Sequence, residues 1–419
     1  MKRVLCGAGI LLSGLLLAIP AVGQGPLAPA SGPTETMKSL DQIEPRTPIS
    51  ELPFAITEPG SYFVTGNLTS TEYGIIVAAS GVTIDLGGHT LSGSGNDAGI
   101  VADTNNMVVV QNGVIEGFAY GIRAINSNYG RYERLVVRDN VNSGIGLFSV
   151  ADEANGNVIQ DVSVIGHGQI GVLIAAYSGG VTRGNMVLNS SIMNNQRNGI
   201  RLLGDGGRVS GNIIRDTVIL GSTDFSAMDL LSENGGVVNG NIISGCQIVD
   251  NAHSGLRVMA FGADTQATGN SIENNKIMRN GDQIPALSVR GVSGGQANGN
   301  SLVGNRIAEN SSHGIEVDGG SGGSTARGNV IRDSNVSHEL SNRTGIRLVG
   351  DTEGTRVENN TVMGHLTGYQ IDATSAFVFR NVSLSNMGSF VGGPGNLIAP
   401  NIDSPGEQSN PNAWANVSR

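Results

Sequence analysis

A short phrase of alternating apolar and variable positions recurs twelve times between Gly74 and Gly368. Each copy is a small residue followed by an apolar, a variable and a second apolar residue, and successive copies start 22 to 31 residues apart. Alternation with a period of two predicts a strand with one buried side, and a repeat of this length predicts a stack of coils. The copies begin at Gly74, Gly99, Gly121, Gly144, Gly171, Gly199, Ala227, Gly255, Ala286, Gly314, Gly345 and Gly368.

A Gly-Asn pair keeps the same period in the middle of the chain. Each pair is followed by a β-rich run, such as residues 212–219, and a polar turn, such as residues 194–198. Glycine and asparagine tolerate positive φ, so we expect two to three short strands per coil with these residues at the corners. Stacking would align the asparagines and let their amides bond along the axis. The asparagines are Asn157, Asn185, Asn212, Asn241, Asn270, Asn300 and Asn329.

The two markers together predict an all-β, single-stranded parallel β-helix (β-solenoid) of about twelve coils. Residues 38–391 should form this helix together with its N-terminal cap, which contains Phe54 and Tyr62. Residues 392–419 form a Pro/Asn-rich tail that we interpret as a C-terminal cap, with Trp414 as its packing anchor. Caps are expected because the ends of an open stack would otherwise associate edge to edge.

The N-terminus predicts export. Residues 1–23 have a basic start, an apolar run and a small-residue exit, which is typical of a signal peptide, and residues 24–37 follow as a flexible linker. An uncleaved membrane anchor is the competing interpretation, and no later segment is apolar enough to span a bilayer. We therefore expect a protein that is secreted, periplasmic or on the cell surface. Cys6 would leave with the signal, so Cys246 is expected as a lone buried thiol.

Composition narrows the function classes. Charged residues make up 14% of the chain, aromatic residues 4%, and the net charge is −10. These values exclude a coiled coil and disfavour a nucleic-acid partner, although a local cationic patch could hold an acidic sugar. The six histidines are scattered and Cys246 has no neighbouring ligand in sequence, so we predict no metal and no cofactor. The oligomeric state is left open.

Residues 59–68 and 81–93, which read PGSYFVTGNL and GVTIDLGGHTLSG, form the most distinctive segments of the chain. They resemble the opening coils of secreted right-handed parallel β-helix proteins of the pectate-lyase-like superfamily. The Gly-Asn-x-Ile repeats and the Trp-Ala-Asn of the tail extend the resemblance over nearly the whole mature chain. It implies the right-handed fold. For function it implies polysaccharide lyases, galacturonan hydrolases, mannuronan epimerases or nonenzymatic surface proteins.

The catalytic signatures of these subgroups are mostly missing. Residues 166–168 read Gly-His-Gly, as in the galacturonan hydrolases, but the paired aspartates before it and the Arg-Ile-Lys after it are absent. The Asp-Pro-His of the epimerases and the Arg-x-Pro-x-x-Arg of the pectate lyases do not occur. The resemblance therefore specifies a fold rather than an activity.

Candidate chemistry lies at the variable third position of each phrase, which should point away from the core. Stacked coils turn this position, and the one two residues later, into two outward columns. The candidate catalytic residues on these columns are Arg257, Arg290, Glu316 and Asp318. The candidate substrate-binding residues are Arg201, Asp229, His253, His313, Arg347 and Asp372.

Three interpretations of these columns are open. The alternating charges predict a ladder of ion pairs on a wet surface. Glu316 and Asp318, two residues apart on one face, have a spacing suited to an inverting hydrolase, whereas Asp229 lies three coils from Glu316 and is too far away to pair with it. Arg257 or Arg290, together with a histidine, could instead carry out β-elimination.

The sequence thus supports two functional hypotheses. The first is a secreted β-helix protein that associates with polysaccharide or cell-surface glycan and acts as a lyase or hydrolase of acidic glycans. The second is a noncatalytic surface or structural solenoid that binds glycan or a protein partner. A groove several sugars long on the outward columns would favour the enzyme, and a fully ion-paired ladder would favour the structural role.

Overall fold

The computed structural model describes residues 46–281, 284–373, 375–402 and 415–418. Their strands pair in parallel and follow one another round a coil, so the chain is a parallel β-helix of about eleven coils, close to the twelve predicted. The predicted signal peptide, the linker and Trp414 lie outside the described residues, and the proposed cap boundaries remain predictions. No described helix is long and apolar enough to cross a membrane.

The repeated phrases build one side of every coil, which we call the first sheet. All twelve phrases align residue for residue, from Ile75 opposite Ile100 to Ile346 opposite Tyr369. The first sheet contains Phe54–Ile56, Ile75–Val77, Ala98–Val101, Tyr120–Ile125, Ser143–Val150, Val172–Tyr177, Ile200–Asp205, Met228–Glu233, Leu256–Phe261, Leu287–Val292, Ile315–Asp318, the later parts of Asn335–Gly350 and Thr361–Ala373, and Gly388–Gly392.

Two further sheets complete each coil. The second sheet contains Arg46–Ile49, Gly60–Val64, Val82–Asp85, the first parts of Val109–Glu116 and Arg131–Arg138, Val158–Gln160, Met186–Leu188, Ile213–Arg215, Ile242–Ser244, Ser271–Glu273, Ser301–Val303, Val330–Arg332, Arg356–Glu358, Phe377–Phe379 and Leu397–Ile398. The third sheet contains Leu68–Thr69, Thr90–Ser92, the later parts of Val109–Glu116 and Arg131–Arg138, Ser163–Ile165, Ser191–Met193, Val218–Leu220, Gln247–Val249, Lys276–Met278, Arg306–Ala308, the first parts of Asn335–Gly350 and Thr361–Ala373, Val382–Leu384, Asn401–Ile402 and Asn416–Ser418.

A short fourth sheet lies between the first and second sheets in four central coils. Its strands directly precede the Gly-Asn pairs. This sheet was not predicted from the sequence. The three-residue strands carry too little alternation to stand out in the sequence. They are Val181–Arg183, Arg208–Ser210, Val237–Asn239 and Gln266–Thr268.

The inward residues of the strands form one continuous apolar core. Ile200, Leu202 and their equivalents in the neighbouring coils are fully buried, mostly as Ile, Val and Leu. Each such side chain contributes about 1.5–3 kcal/mol when it leaves water, and the core repeats from coil to coil, so stability is distributed along the stack.

Asparagine ladders hold the corners. At the Gly-Asn corner each asparagine is fully buried and donates its Nδ2 hydrogen to the Oδ1 atom of the next, over 2.9–3.2 Å from Asn157 to Asn329. This confirms the predicted axial bonding. Two further corners carry similar ladders, such as Asn251 to Asn280 and Asn360 to Asn381. These two ladders were not predicted from the sequence, because Ser, Thr, Cys or His replaces asparagine in some coils.

A cysteine and a histidine occupy positions in these ladders, where their role is structural. Cys246 is buried, as predicted, and its backbone N–H donates to Asn275 Oδ1 at 2.9 Å, while burial raises the pKa of its thiol to about 11. The Nδ1 atom of His167 accepts the backbone N–H of Asn140 over 3.1 Å, and the backbone N–H of His167 donates to Asn195 Oδ1. The Gly-His-Gly match is therefore a corner of the ladder.

His167 should make the fold sensitive to acid. Burial lowers its pKa to about 4, against an ordinary value near 6.5, so the unfolded chain binds the proton first. The stability from neutral His167 is complete above about pH 6.5 and is lost as the pH falls toward 4. We expect His167→Asn, which supplies the usual ladder residue, to flatten the dependence of the unfolding midpoint between pH 6.5 and 4. His89→Asn, at a partly exposed position, is the control. An unchanged pH profile in His167→Asn would contradict this role.

Candidate functional site

The predicted outward columns exist, and they lie on the outer face of the first sheet, opposite the core. Backbone pairing aligns Arg201, Asp229, Arg257, Ser288, Glu316, Arg347 and Gln370 in one column. A second column two residues further along aligns Leu231, Met259, Arg290, Asp318, Val349 and Asp372. The structure thus brings eight of the ten predicted site residues onto adjacent coils of one face.

Ion pairs between neighbouring coils engage most charges of this face. Arg257 is bidentate on Asp229, with Nε to Oδ1 at 3.0 Å and Nη2 to Oδ2 at 2.7 Å. Two more arginines of the predicted set also pair across one coil step: Arg290 with Asp318 at 2.9 Å, and Arg347 with Glu316 at 3.0 Å. All four predicted catalytic side chains are therefore committed to a partner.

The outer face is less exposed to solvent than the sequence predicted. Asp229 is 1% exposed, and Ser288 and Glu316 are also buried, so the expectation of a wet surface ladder is wrong at these positions. Toward the N-terminal coils the face becomes apolar, and this cluster is separate from the core. The cluster contains Tyr120, Ile125, Phe148, Ile170, Leu173, Ala175, Tyr177, Leu203, Leu231 and Met259.

The two predicted histidines lie outside the two columns, at the corners before the strands. His313 accepts the Thr344 N–H at Nδ1 over 3.0 Å, and burial lowers its pKa although Glu316 acts in the opposite direction. His253 is partly exposed and sits two phrases earlier along the stack. Asp372 accepts a hydrogen bond from Gln370. These contacts place His313 next to the paired charges but do not aim it at a cavity.

Arg201 differs from the other arginines of the predicted set. No described carboxylate lies within 4 Å of its guanidinium. Its Nε atom is buried without a hydrogen-bond partner, as are those of Arg290 and Arg347. It neighbours Tyr177, whose pKa is raised by burial, lowered by Arg201 and raised by Asp205 and Glu233. Sequence reasoning missed Tyr177, Asp205 and Glu233 because they lie beyond the four-residue phrase.

The face has the chemistry of a binding surface rather than of a metal centre. Among the residues that the structure describes, no group of three or more histidine, cysteine or acidic side chains could hold a metal ion. Arg290 and Asp318, together with residues 320–322, border a small hollow. Arg201 offers an uncommitted cation beside apolar and aromatic side chains, an arrangement suited to an anionic group on a larger ligand.

Comparisons with known proteins agree on the architecture. The family described as right handed beta helix region matches residues 181–362. The A-module of the mannuronan C-5 epimerase AlgE4 from Azotobacter vinelandii superposes with a TM-score of 0.51 at 13% identity, over 79% of this chain and 89% of that one. A single-substitution variant of the catalytic domain of a GH87 alpha-1,3-glucanase in complex with nigerose gives a TM-score of 0.51 at 16% identity, over 84% of this chain and 70% of that one.

These likenesses confirm the predicted right-handed parallel β-helix. At identities this low they show the fold alone. Among curated proteins, no sequence matches this chain. The function must therefore be argued from the residues of this chain.

Proposed function

We propose that the protein is exported and binds acidic polysaccharide on the outer face of its first sheet, with Arg201 and Tyr177 at the centre of the binding surface. The observation that carries this proposal is the uncommitted guanidinium of Arg201. Arg201 is partly buried, no described carboxylate pairs with its guanidinium, and a uronate or sulfate group would supply the missing counter-charge. The two similar structures are of proteins named as a mannuronan epimerase and a glucanase, which supports a glycan as the class of ligand.

The arrangement of the face supports binding along the axis. Leu173 and Leu203 pack beside Arg201 within the apolar cluster, and the partly exposed Tyr177 offers its ring to the carbon faces of sugar rings. Toward the C-terminal coils, the paired side chains of Asp229 with Arg257 and Glu316 with Arg347 would form a rigid continuation of the surface. In this role they keep the face flat and ordered without exchanging protons with the ligand.

A lyase or inverting hydrolase is the second candidate, because the register places Arg257, Arg290, Glu316 and Asp318 on neighbouring coils. Ion pairing argues against it. A hydrolase needs one carboxyl group to give a proton and another to hold water, and here each carboxylate accepts hydrogen bonds from an arginine. Arginine as a base in β-elimination would likewise have to leave its carboxylate partner.

We expect Arg201→Gln to weaken binding of acidic polysaccharide about tenfold or more, because the charge-assisted contact is lost. The measurement is calorimetric titration of the mature protein with alginate, pectate, hyaluronan and a sulfated glycan at low and high salt. Arg332→Gln, on the second sheet, is the matched control and should bind normally. Binding should weaken with salt.

Unsaturated-product absorbance and reducing ends are followed in the same samples. A product that disappears in Glu316→Gln or Asp318→Asn would establish the enzyme instead. Unaltered binding in Arg201→Gln would remove the proposed centre. The absence of binding to every acidic glycan would favour a structural role or a protein partner.

A further inference from the structure

The Gly-Asn corners form a second feature of the surface, away from the outer face of the first sheet. Gly184, Gly211 and Gly240 adopt φ of 63°, 61° and 63°, and nothing lies within 4 Å of where a Cβ atom would stand at any of them. The asparagines that follow these glycines are buried in the ladder. The surface at this corner therefore consists of backbone atoms, with no side chain above the glycines. The result is an open groove of about 510 Å³ that runs across the coils.

An exposed aromatic ring closes one end of this groove. Tyr129 is 64% exposed, a large fraction for an aromatic side chain in a chain that has few of them. Its ring covers Gly156, the glycine that precedes Gly184 in the same corner column, and a Cβ atom there would lie 2.8 Å from Tyr129 Cδ1. The ring is therefore held over the floor of the groove, where a planar apolar ligand surface could stack on it.

Polar side chains line the groove at successive coils. Asn155, Arg183, Ser210 and Asn239 occupy equivalent positions directly before the glycines. Glu153 lies 3.7 Å from Arg183 and offsets its charge, while both side chains stay half exposed or more. Asn155 is buried and its amide is bonded to Arg183 N–H and Glu153, so the groove offers the Asn239 amide, the Ser210 hydroxyl and the Arg183 guanidinium beside an aromatic ring, without a strong charge.

We propose that this corner groove is a second binding site and that it takes a neutral glycan chain. A sugar ring has an apolar face that stacks on an aromatic side chain and a rim of hydroxyl groups that bonds to amides and guanidinium groups. The four lining positions span three coil steps, about 14 Å at the usual strand spacing, and one step is close to the rise of a hexose in an extended chain. The site would hold about three sugars, with Tyr129 as the end platform.

The proposal is tested by a substitution that places a side chain in the groove. Gly211→Asn places a side chain where the glycan would lie, and asparagine tolerates the left-handed backbone. Gly328→Asn is the matched control, because Gly328 has φ 61° and equally open space at the same corner three coils beyond Gly240. The probes are cellohexaose, mannohexaose and xylohexaose, titrated by calorimetry against the mature protein and each variant.

We expect at least one hexaose to bind, Gly211→Asn to weaken that binding tenfold or more, and Tyr129→Ala to weaken it about tenfold. Gly328→Asn and Arg201→Gln should bind the hexaose as the parent does, which separates this site from the acidic-glycan surface. Failure of all three hexaoses to bind overturns the proposal. So does unchanged binding by Gly211→Asn, or binding that vanishes at high salt.

Discussion

We expect Asn212→Ala to lower the free energy of unfolding by about 3–5 kcal/mol, because it breaks a ladder that is fully buried. The Oδ1 atom of Asn212 accepts both the backbone N–H and the Nδ2 hydrogen of Asn185 at 2.9 Å. Its Nδ2 donates to Asn241 Oδ1 at 2.9 Å and to Thr182 O at 3.2 Å. Alanine would leave these buried partners without hydrogen bonds in a region that water cannot reach.

Equilibrium unfolding in urea measures this loss. Asn239→Ala is the matched control, since Asn239 lies at the same corner one coil further along but is only half buried and accepts one long bond from Arg208 at 3.4 Å. That variant should change stability by less than about 1 kcal/mol. If both variants lost the same free energy of unfolding, a ladder asparagine would contribute no more to stability than an asparagine outside the ladder.

Arg257→Ala should also destabilise the protein by about 3–5 kcal/mol, since it leaves the buried carboxylate of Asp229 without its counter-charge. Only the 3.1 Å bond from Asn198 Nδ2 would remain on that carboxylate. Arg279→Ala is a close control. Arg279 makes the same bidentate contact with Asp250, at 2.6 and 2.7 Å, but both side chains are exposed, so the loss should be much smaller.

A double variant separates the pair from its packing. Asp229→Leu combined with Arg257→Met removes both charges and fills similar volume, so it should recover most of the stability lost in Arg257→Ala. If the double variant is no more stable than the single one, the pair does more than neutralise a buried charge. The outcome also affects activity assays, because inactivity of Arg257→Ala alone would not distinguish catalysis from unfolding.

The sequence predicted the fold well because the phrase is a physical unit. Apolar residues at its second and fourth positions fix the register, and a one-residue slip would turn the core outward. The Gly-Asn corners were visible for a similar reason, since only a few residues tolerate that backbone. The second and third ladders were not visible, because serine, threonine, cysteine or histidine replaces asparagine in some coils. The His167 ring, for example, accepts the Asn140 N–H of the preceding coil, as an asparagine Oδ1 would.

The candidate site was only partly predictable. Alternation placed Arg257 and Glu316 in one column, and the strand pairing agrees. Sequence could not reveal which charges were committed, since pairing depends on side-chain direction across coils. Arg201 stood among the other arginines with nothing to mark it as uncommitted. Tyr129 gave no signal at all, because its importance comes from a glycine 27 residues later in the chain.

The corner ladders also constrain how such a chain can change length during evolution. Spacings between phrases vary from 22 to 31 residues while the phrases stay aligned, so small insertions are absorbed between strands. A gain or loss of one whole coil would leave every ladder continuous, because each asparagine needs only the next. Duplication of coils would then lengthen a ligand-binding surface in fixed increments, and descendants of one ancestral chain could differ in the size of glycan they accommodate without a change of fold.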